Sequence, residues 1–146
     1  TVDGIYAAGD VANHWHPVFE RRMRVEDWQN AMQQGAAAAR SMLGTRQAYD
    51  AIHWFWSDQY DANLQYAGFH HEWDRLVVRG SLERRNFIAF YLNRGRLDAV
   101  VALNRGKDVR RAMPLIRYRG FVDSERLKDE DVDLRSLAPA PTSGGQ

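Results

Sequence analysis

The chain has 146 residues, and its 20 Lys and Arg against 19 Asp and Glu leave a formal net charge of +1 at pH 7. This near balance gives no electrostatic case for a nucleic-acid partner, and the absence of cysteine excludes disulfides, thiolate metal sites and a redox-active Cys-x-x-Cys pair. No segment approaches the roughly 18 uninterrupted apolar residues of a membrane helix and no signal-peptide pattern is present, so we expect a soluble, cytoplasmic protein with no membrane partner.

The first predicted element is a short apolar run near the start of the chain. Residues 5–8 lie between Asp3-Gly4 and Gly9-Asp10, which fits a buried parallel strand that leads into a loop at its carboxyl end. Gly9 allows the backbone to come close to a ligand, and the carboxylate of Asp10 can accept hydrogen bonds from sugar-like hydroxyls. A strand that merely ends in a Gly-Asp turn is the alternative, and this peptide alone does not decide between the two.

A helix is predicted after a loop of residues 12–26. The loop contains His14-Trp15-His16-Pro17 and the basic run Arg21-Arg22-Met23-Arg24. Asp27 suits an N-cap and Gly44 suits the C′ position, so we expect the helix to lie between them. Apolar and small residues at helical spacing predict one tightly packed face, made of Trp28, Ala31, Met32, Gly35, Ala38, Ala39 and Met42.

The second half of the chain has the pattern of an antiparallel sheet. After a linker over residues 45–52, short segments rich in β-branched and aromatic residues alternate with Gly, Asn and Asp. The predicted strands are residues 64–67, 76–79, 87–92 and 97–103. Asn93-Arg94-Gly95-Arg96 fits a hairpin turn between the last two strands.

Helical segments are predicted after the sheet. A helix over residues 107–116 has an apolar side, and Pro114 is expected to kink it or to begin a second turn. A short helical piece over residues 124–137 is expected next. Residues 138–146 are predicted to form a disordered tail rich in Pro, Gly and Ser.

Five histidines give only a weak case for a metal site. His14 and His16 are two residues apart, and His70-His71-Glu72 are contiguous. Neither spacing matches a helical i, i+4 ligand pair, and no cysteine or third histidine stands at a zinc-like spacing. We therefore predict no metal site and place these histidines on surface loops.

Three segments together resemble the FAD-dependent ferredoxin reductases of the pyridine nucleotide-disulfide oxidoreductase superfamily, the type that serves ring-hydroxylating dioxygenases and cytochromes P450. The first segment is Thr1-Val2-Asp3-Gly4-Ile5-Tyr6-Ala7-Ala8-Gly9-Asp10-Val11, and the second is Arg24-Val25-Glu26-Asp27-Trp28-Gln29-Asn30-Ala31-Met32-Gln33-Gln34-Gly35-Ala36-Ala37-Ala38-Ala39. The third is His53-Trp54-Phe55-Trp56-Ser57-Asp58-Gln59-Tyr60, followed by Leu64-Gln65-Tyr66-Ala67-Gly68. The resemblance extends over residues 1–137.

The resemblance implies an α+β fold: the terminal strand and helix of an FAD-binding, Rossmann-like domain over residues 1–46, then an antiparallel-sheet domain with flanking helices over residues 47–137. No Gly-x-Gly-x-x-Gly fingerprint occurs in the sequence, so the parts that bind the FAD pyrophosphate and NAD(P)H would lie upstream. We expect the C-terminal part of an NAD(P)H:ferredoxin oxidoreductase, inactive alone, whose partner is a [2Fe-2S] ferredoxin. A homodimer is compatible with this reading.

The resemblance also implies the residues that contact the cofactor. Asp10 would hold the ribityl chain, and the helix start would face the pyrimidine edge of the isoalloxazine. Trp28 would lie beside the flavin where ferredoxin docks, and the aromatic strand would close the site. The expected cofactor-binding residues are Gly9, Asp10, Val11, Asp27, Trp28, Gln29 and Trp56, and none is expected to be catalytic.

Two alternatives stay open at the level of sequence. The basic residues Arg105, Lys107, Arg110, Arg111, Arg117 and Arg119 form either a solvated helix face, partly neutralised by the acidic residues 123–133, or a surface that steers an acidic ferredoxin together with Arg21, Arg22 and Arg24. No aromatic residues interleave with them, as a groove for single-stranded nucleic acid would require. The alternative to a redox role is a non-catalytic module for dimerisation or partner docking.

Overall fold

The computed structural model describes residues 2–139, and the chain divides into two compact units between Phe55 and Trp56. The predicted disordered tail therefore falls almost entirely outside the described residues. None of the helices formed by residues 2–139 is long and apolar enough to cross a bilayer.

The first unit contains a short 3-10 helix, a hairpin and one long helix. The 3-10 helix is Gly9–Val11, the antiparallel strands are β1 (His14–His16) and β2 (Arg21–Met23), and the helix is α1 (Trp28–Met42). The hairpin corrects the prediction of an irregular loop over residues 12–26. Strands of three residues are too short to show an alternating pattern in the sequence.

The predicted buried strand at residues 5–8 is not observed within residues 2–139. No strand is assigned to these four residues, and Ile5 is 70% exposed. A strand is defined by its ladder of hydrogen bonds to a neighbour, and the described residues provide no neighbour at this place. Gly9 begins the 3-10 helix directly after this run.

Helix α1 begins and ends as predicted. A carboxylate oxygen of Asp27 accepts a hydrogen bond of 2.7 Å from the backbone N–H of Asn30, and Gly44 follows the helix with φ +93°. The left-handed conformation at Gly44 is the usual C′ geometry.

Most of the predicted packed face of α1 is exposed within residues 2–139, although Ala31 of that face lies close to Gly9. Trp28, Met32 and Met42 are exposed, whereas the buried side chains of the helix are the amides Asn30 and Gln34. A methyl group added at Gly35 would meet no atom within 4 Å. Within the first unit, α1 therefore packs through a polar face, because hydrogen-bonding partners from neighbouring segments lie on that side.

The second unit is built on a five-stranded sheet of order β3-β4-β7-β6-β5. The strands are β3 (Trp54–Gln59), β4 (Ala62–Gly68), β5 (Arg75–Ser81), β6 (Asn86–Asn93) and β7 (Arg96–Leu103). All four predicted strands are confirmed, and the aromatic segment forms the edge strand β3. The predicted hairpin turn is also confirmed, with Arg94 at φ 52° and Gly95 at φ 75°, the two positive values that a type I′ turn requires.

One face of this sheet carries the core of the second unit. The antiparallel register sets Val77 opposite Phe90, Phe90 opposite Val100 and Val100 opposite Ala67. All four residues are buried. Helix α2 (Gly106–Tyr118) buries Val109, Ala112, Leu115 and Ile116.

The helices after the sheet differ in two details from the prediction. Helix α2 continues through Pro114, whose missing N–H lies on the exposed side of the helix. The helical piece expected over residues 124–137 consists of α3 (Ser124–Lys128) and a 3-10 helix, Leu134–Leu137. Asp123 and Asp133 cap these two helices with their carboxylates, which explains why two helices replace one.

Candidate functional site

The Gly9-Asp10 turn lies directly against helix α1. Gly9 has φ +76°, and a Cβ placed on it would come within 3.3 Å of the Cβ of Ala31. Its backbone N–H donates a hydrogen bond of 2.8 Å to Oε1 of Gln34. A side chain at this position would be strained by the positive φ and crowded by the helix. The turn is therefore held close to the middle of α1.

The turn presents Asp10 outward. The carboxylate of Asp10 is exposed and makes no hydrogen bond or ion pair with any of the described residues. Val11, the next residue of the 3-10 helix, is also exposed. An ionised carboxylate accepts hydrogen bonds only, so this position can bind hydroxyl groups of a ligand.

The amino end of α1 contains acceptor atoms that have no hydrogen-bond partner among the described residues. One carboxylate oxygen of Asp27 caps the helix, but its Oδ2 and the Oε1 of Gln29 are buried without a hydrogen-bond partner within residues 2–139. The first N–H groups of a helix lack partners inside the helix, and the helix dipole makes this end positive. Trp28 is 69% exposed beside these groups. The helix start thus has two acceptor atoms that are unpaired within this part of the chain, and its positive end can stabilise negative charge.

Gln34 links the turn to the hairpin. Its Nε2 lies 3.0 Å from Nδ1 of His14, while its Oε1 accepts from Gly9. A backbone N–H can only donate, so the amide oxygen faces Gly9 and the NH2 group donates to His14. Nδ1 of His14 therefore carries no proton, and His14 is the neutral tautomer with its hydrogen on Nε2. Burial and the electrostatic interaction with His16 lower the pKa of His14, outweighing a backbone hydrogen bond at Met23 that raises it.

A second set of hydrogen bonds ties residues 45–53 to α1. The hydroxyl of Tyr49 lies 3.1 Å from Oδ1 of Asn30 and 3.2 Å from Oε1 of Gln33. Nδ2 of Asn30 donates to the carbonyl of Val25 at 3.0 Å. Burial, followed by the charges of two nearby aspartates, raises the pKa of Tyr49 to about 12. This hydroxyl stays protonated and remains a donor over the physiological range.

The histidines of the first unit are not on the surface, contrary to the prediction. His16 is 1% exposed and His53 is 5% exposed, and His14 is half-buried. Nε2 of His16 lies 3.0 Å from the carbonyl oxygen of Ala51. Burial, and then the electrostatic interactions with His16 and His14, lower the pKa of His53 to about 4. Residues 2–139 contain no cluster of three or more potential metal ligands.

The remaining predicted residues belong to the second unit. Trp56 is 44% exposed on the edge strand β3. The basic region is divided, because Arg105 pairs with Asp108 and Glu130, and Arg119 pairs with the buried Asp98. These two arginines serve the packing of α2. Lys107, Arg110 and Arg117 remain on the exposed side of the helix.

Of the site residues predicted from the sequence, Gly9, Asp10 and Val11 share one turn, and Asp27, Trp28 and Gln29 share the start of α1. The prediction missed Gln34 and its partner His14. A signal for Gln34 exists in the sequence, because Asn30 and Gln34 are four residues apart and mark a polar face on a helix otherwise rich in alanine.

Comparisons with known proteins agree with this architecture. The family model described as reductase C-terminal matches residues 54–138. The chain is 41% identical over 134 residues to the ferredoxin–NAD(+) reductase component of the anthranilate 1,2-dioxygenase system of Burkholderia cepacia, covering 91% of this chain and 33% of that protein.

Two crystal structures share the fold. The ferredoxin reductase for the CYP199A2 system from Rhodopseudomonas palustris matches with a TM-score of 0.82 and 35% identity, over 90% of this chain and 33% of that one. The reductase in the covalent putidaredoxin reductase–putidaredoxin complex matches with a TM-score of 0.82 and 35% identity, over 89% of this chain and 31% of that one. The chain spans about one third of the length of these relatives. With more than half of its residues matched by the family model, this chain belongs to the reductase C-terminal family.

Proposed function

We propose that the chain is the C-terminal part of an NAD(P)H-dependent flavoprotein that passes electrons from FAD to a [2Fe-2S] ferredoxin. Residues 1–46 complete the FAD-binding domain, and residues 47–137 form the reductase C-terminal domain. NAD(P)H binds to the upstream part of the protein. Support comes from relatives that are themselves ferredoxin reductases and from one crystal structure of a reductase bound to putidaredoxin.

The observation that carries this proposal is the Gly9-Asp10 turn. Its glycine conformation brings the backbone against α1, and its carboxylate is exposed with no partner among the described residues. A ribityl chain offers several hydroxyl donors, which match an acceptor of this kind. Asp10 would accept hydrogen bonds from these hydroxyls, and Gly9 and Val11 would form the adjacent backbone of the site.

The start of α1 fits the other end of a flavin. The imide N–H of an isoalloxazine is a donor, and Oδ2 of Asp27 and Oε1 of Gln29 are buried acceptors without a partner within residues 2–139. The positive end of the helix dipole stabilises negative charge on a reduced ring by roughly 0.3–2 kcal/mol. This contribution is of a size that adjusts the reduction potential and leaves the redox chemistry to the cofactor.

When bound, FAD accepts a hydride from the nicotinamide and releases electrons singly. The chain's own residues orient the cofactor and cover it. The indole of Trp28 gives the site an apolar wall that excludes water on the side where ferredoxin docks.

The proposal is tested with the full-length protein. After purification it should carry bound flavin, visible in its absorbance spectrum, and it should reduce a [2Fe-2S] ferredoxin with NADH or NADPH as the electron donor. A colourless protein that does not bind added FAD would contradict the proposal and support the alternative of a non-catalytic docking module.

Replacing Trp28 by alanine should affect the two kinds of electron acceptor differently. Loss of an exposed tryptophan at a docking surface costs on the order of 1–2 kcal/mol, so we expect ferredoxin reduction to slow about tenfold. Reduction of a small soluble dye, which needs no docking surface, should stay within about twofold. Steady-state rates with both acceptors provide the measurement.

Trp73 offers a matched control, since it is also exposed and lies outside the proposed site. Trp73→Ala should leave both rates unchanged. Equal losses for ferredoxin and dye in Trp28→Ala would argue against a role of Trp28 in docking.

A further inference from the structure

We propose that Gln34 is the positioning residue of the flavin site, fixing the Gly9-Asp10 turn through a relay whose second member is His14. This inference rests on the proposed function, because it assumes that Asp10 binds the ribityl chain. It adds a residue that does not touch the cofactor and that gives the site a defined response to pH.

The geometry of Gln34 suits this role. The side chain is buried on α1, accepts a hydrogen bond of 2.8 Å from the backbone of Gly9 and donates one of 3.0 Å to the imidazole of His14. Gly9 is the residue directly before Asp10, so its N–H fixes the backbone from which the carboxylate projects. The Cβ of Ala31 limits the approach of the turn from the same helix.

The relay has a fixed direction. Gly9 donates to the amide oxygen, which turns the NH2 group of Gln34 toward Nδ1 of His14. Protonation of Nδ1 would set two donors against each other across this contact. The amide would then rotate or withdraw, and the N–H of Gly9 would lose its acceptor. Neutral His14 is therefore a condition for the turn to be held.

The surroundings of His14 favour the neutral form. The ring of His16 lies 5.7 Å away along the hairpin, and the ring of Tyr49 meets it edge-on at 5.4 Å. Met23 faces it from β2 through its backbone. His53 interacts electrostatically with it from the segment after α1. None of these groups supplies a carboxylate that would pull a proton onto His14.

Two variants of Gln34 distinguish a role in holding the Gly9-Asp10 turn from a general contribution to protein stability. Gln34→Met keeps the shape of the side chain and removes both hydrogen bonds, so FAD should bind about tenfold more weakly at every pH, and the amide of Gly9 should exchange its hydrogen about tenfold faster. Gln34→Glu keeps an acceptor for Gly9 but presents a carboxylate oxygen to His14. That contact requires a proton on the imidazole.

The pH dependence of Gln34→Glu should therefore be opposite to that of the unmodified protein. As pH falls through the lowered pKa of His14, protonation of its imidazole weakens FAD binding in the unmodified protein. In Gln34→Glu, protonation of Nδ1 of His14 instead allows the imidazole to donate a hydrogen bond to the carboxylate, so the link from Gly9 to His14 is restored. The ratio of the variant's dissociation constant for FAD to that of the unmodified protein should fall from about tenfold at pH 8.5 to about twofold or less at pH 5.5.

The experiment measures FAD dissociation constants of the full-length apoprotein between pH 8.5 and 5.5, with Gln33→Met as the control. Gln33 is the preceding residue on the same helix and contacts Tyr49 instead, so this control should stay within about twofold. A ratio for Gln34→Glu that does not change with pH would overturn the inference, as would a Gln34→Met variant that behaves like Gln33→Met. Two further outcomes distinguish the levels: if Asp10→Ala binds FAD normally, the assignment of Asp10 to the ribityl chain fails, whereas an unmodified apoprotein that binds no FAD contradicts the proposed function itself.

Discussion

Replacing Asp10 by alanine is expected to weaken FAD binding by about 100-fold. The carboxylate is exposed at the tip of a turn held against α1 and has no partner among the described residues, so its hydrogen-bonding capacity is available to a ligand. Hydrogen bonds to a charged group contribute about 1.5–3 kcal/mol, and a loss of about 2.7 kcal/mol corresponds to a factor of about 100 in affinity. Fluorescence or calorimetric titration of the full-length apoprotein with FAD measures the change.

Asp3 provides the control, because it is an exposed carboxylate on the same segment, seven positions earlier in the sequence. Asp3→Ala should bind FAD normally. The FAD affinity of Asp10→Asn should lie between those of Asp10→Ala and Asp3→Ala, since an amide oxygen still accepts a hydrogen bond but carries no charge. If Asp10→Ala and Asp3→Ala had the same affinity, Asp10 would not be a ligand of the ribityl chain.

Acid is expected to destabilise the first unit through His53. The pKa of this buried histidine is lowered to about 4, whereas the unfolded chain takes up the proton near pH 6.5. The stabilising effect of neutral His53 is therefore complete above about pH 6.5 and is lost as pH falls toward 4. The difference in pKa corresponds to about 3 kcal/mol of unfolding free energy.

The contribution of His53 is isolated by comparing the unfolding free energies of the unmodified protein and His53→Gln. Both are measured by urea denaturation at several pH values. His53→Gln removes the titrating group, so its stability should depend less on pH between 6.5 and 4. His71→Gln, at an exposed position, should follow the unmodified protein. Parallel pH profiles for the protein and His53→Gln would show that His53 is not held neutral by burial.

Features of the fold that depend on local chemistry were predictable from the sequence. The limits of α1 follow from a capping carboxylate at Asp27 and a left-handed glycine at Gly44. The turn at Arg94-Gly95 and the strands on either side follow from turn chemistry and β-branched runs. Each of these signals acts within a few residues, so no knowledge of the tertiary structure is needed.

Features that depend on what surrounds a segment were not predictable. The apolar stripe of α1 indicated a packed face, but hydrophobic periodicity shows only which side is apolar and not which side the neighbouring segments cover. Within the first unit the covered side carries Asn30 and Gln34, because hydrogen bonds to Gly9, His14, Tyr49 and Val25 satisfy these amides. The burial of His16 and His53 arises in the same way, since residues distant in sequence enclose them.

The candidate site shows the same division. The Gly-Asp turn and the helix start were predicted from family resemblance, and the structure shows an exposed carboxylate at the turn and two acceptor atoms at the helix start that are unpaired among the described residues. Gln34 was missed because its two hydrogen bonds join residues distant in sequence, 25 positions away at Gly9 and 20 positions away at His14. Such a relay appears only when the turn, the hairpin and the helix are assembled.

The central claim is that the Asp10 carboxylate binds the ribityl chain of FAD. The most direct measurement is a crystal structure of the full-length protein with FAD bound. The account predicts an oxygen of Asp10 about 2.5–3.0 Å from a ribityl hydroxyl, with the amino end of α1 facing the isoalloxazine. A flavin bound elsewhere, with the Asp10 carboxylate in contact only with water, would contradict it.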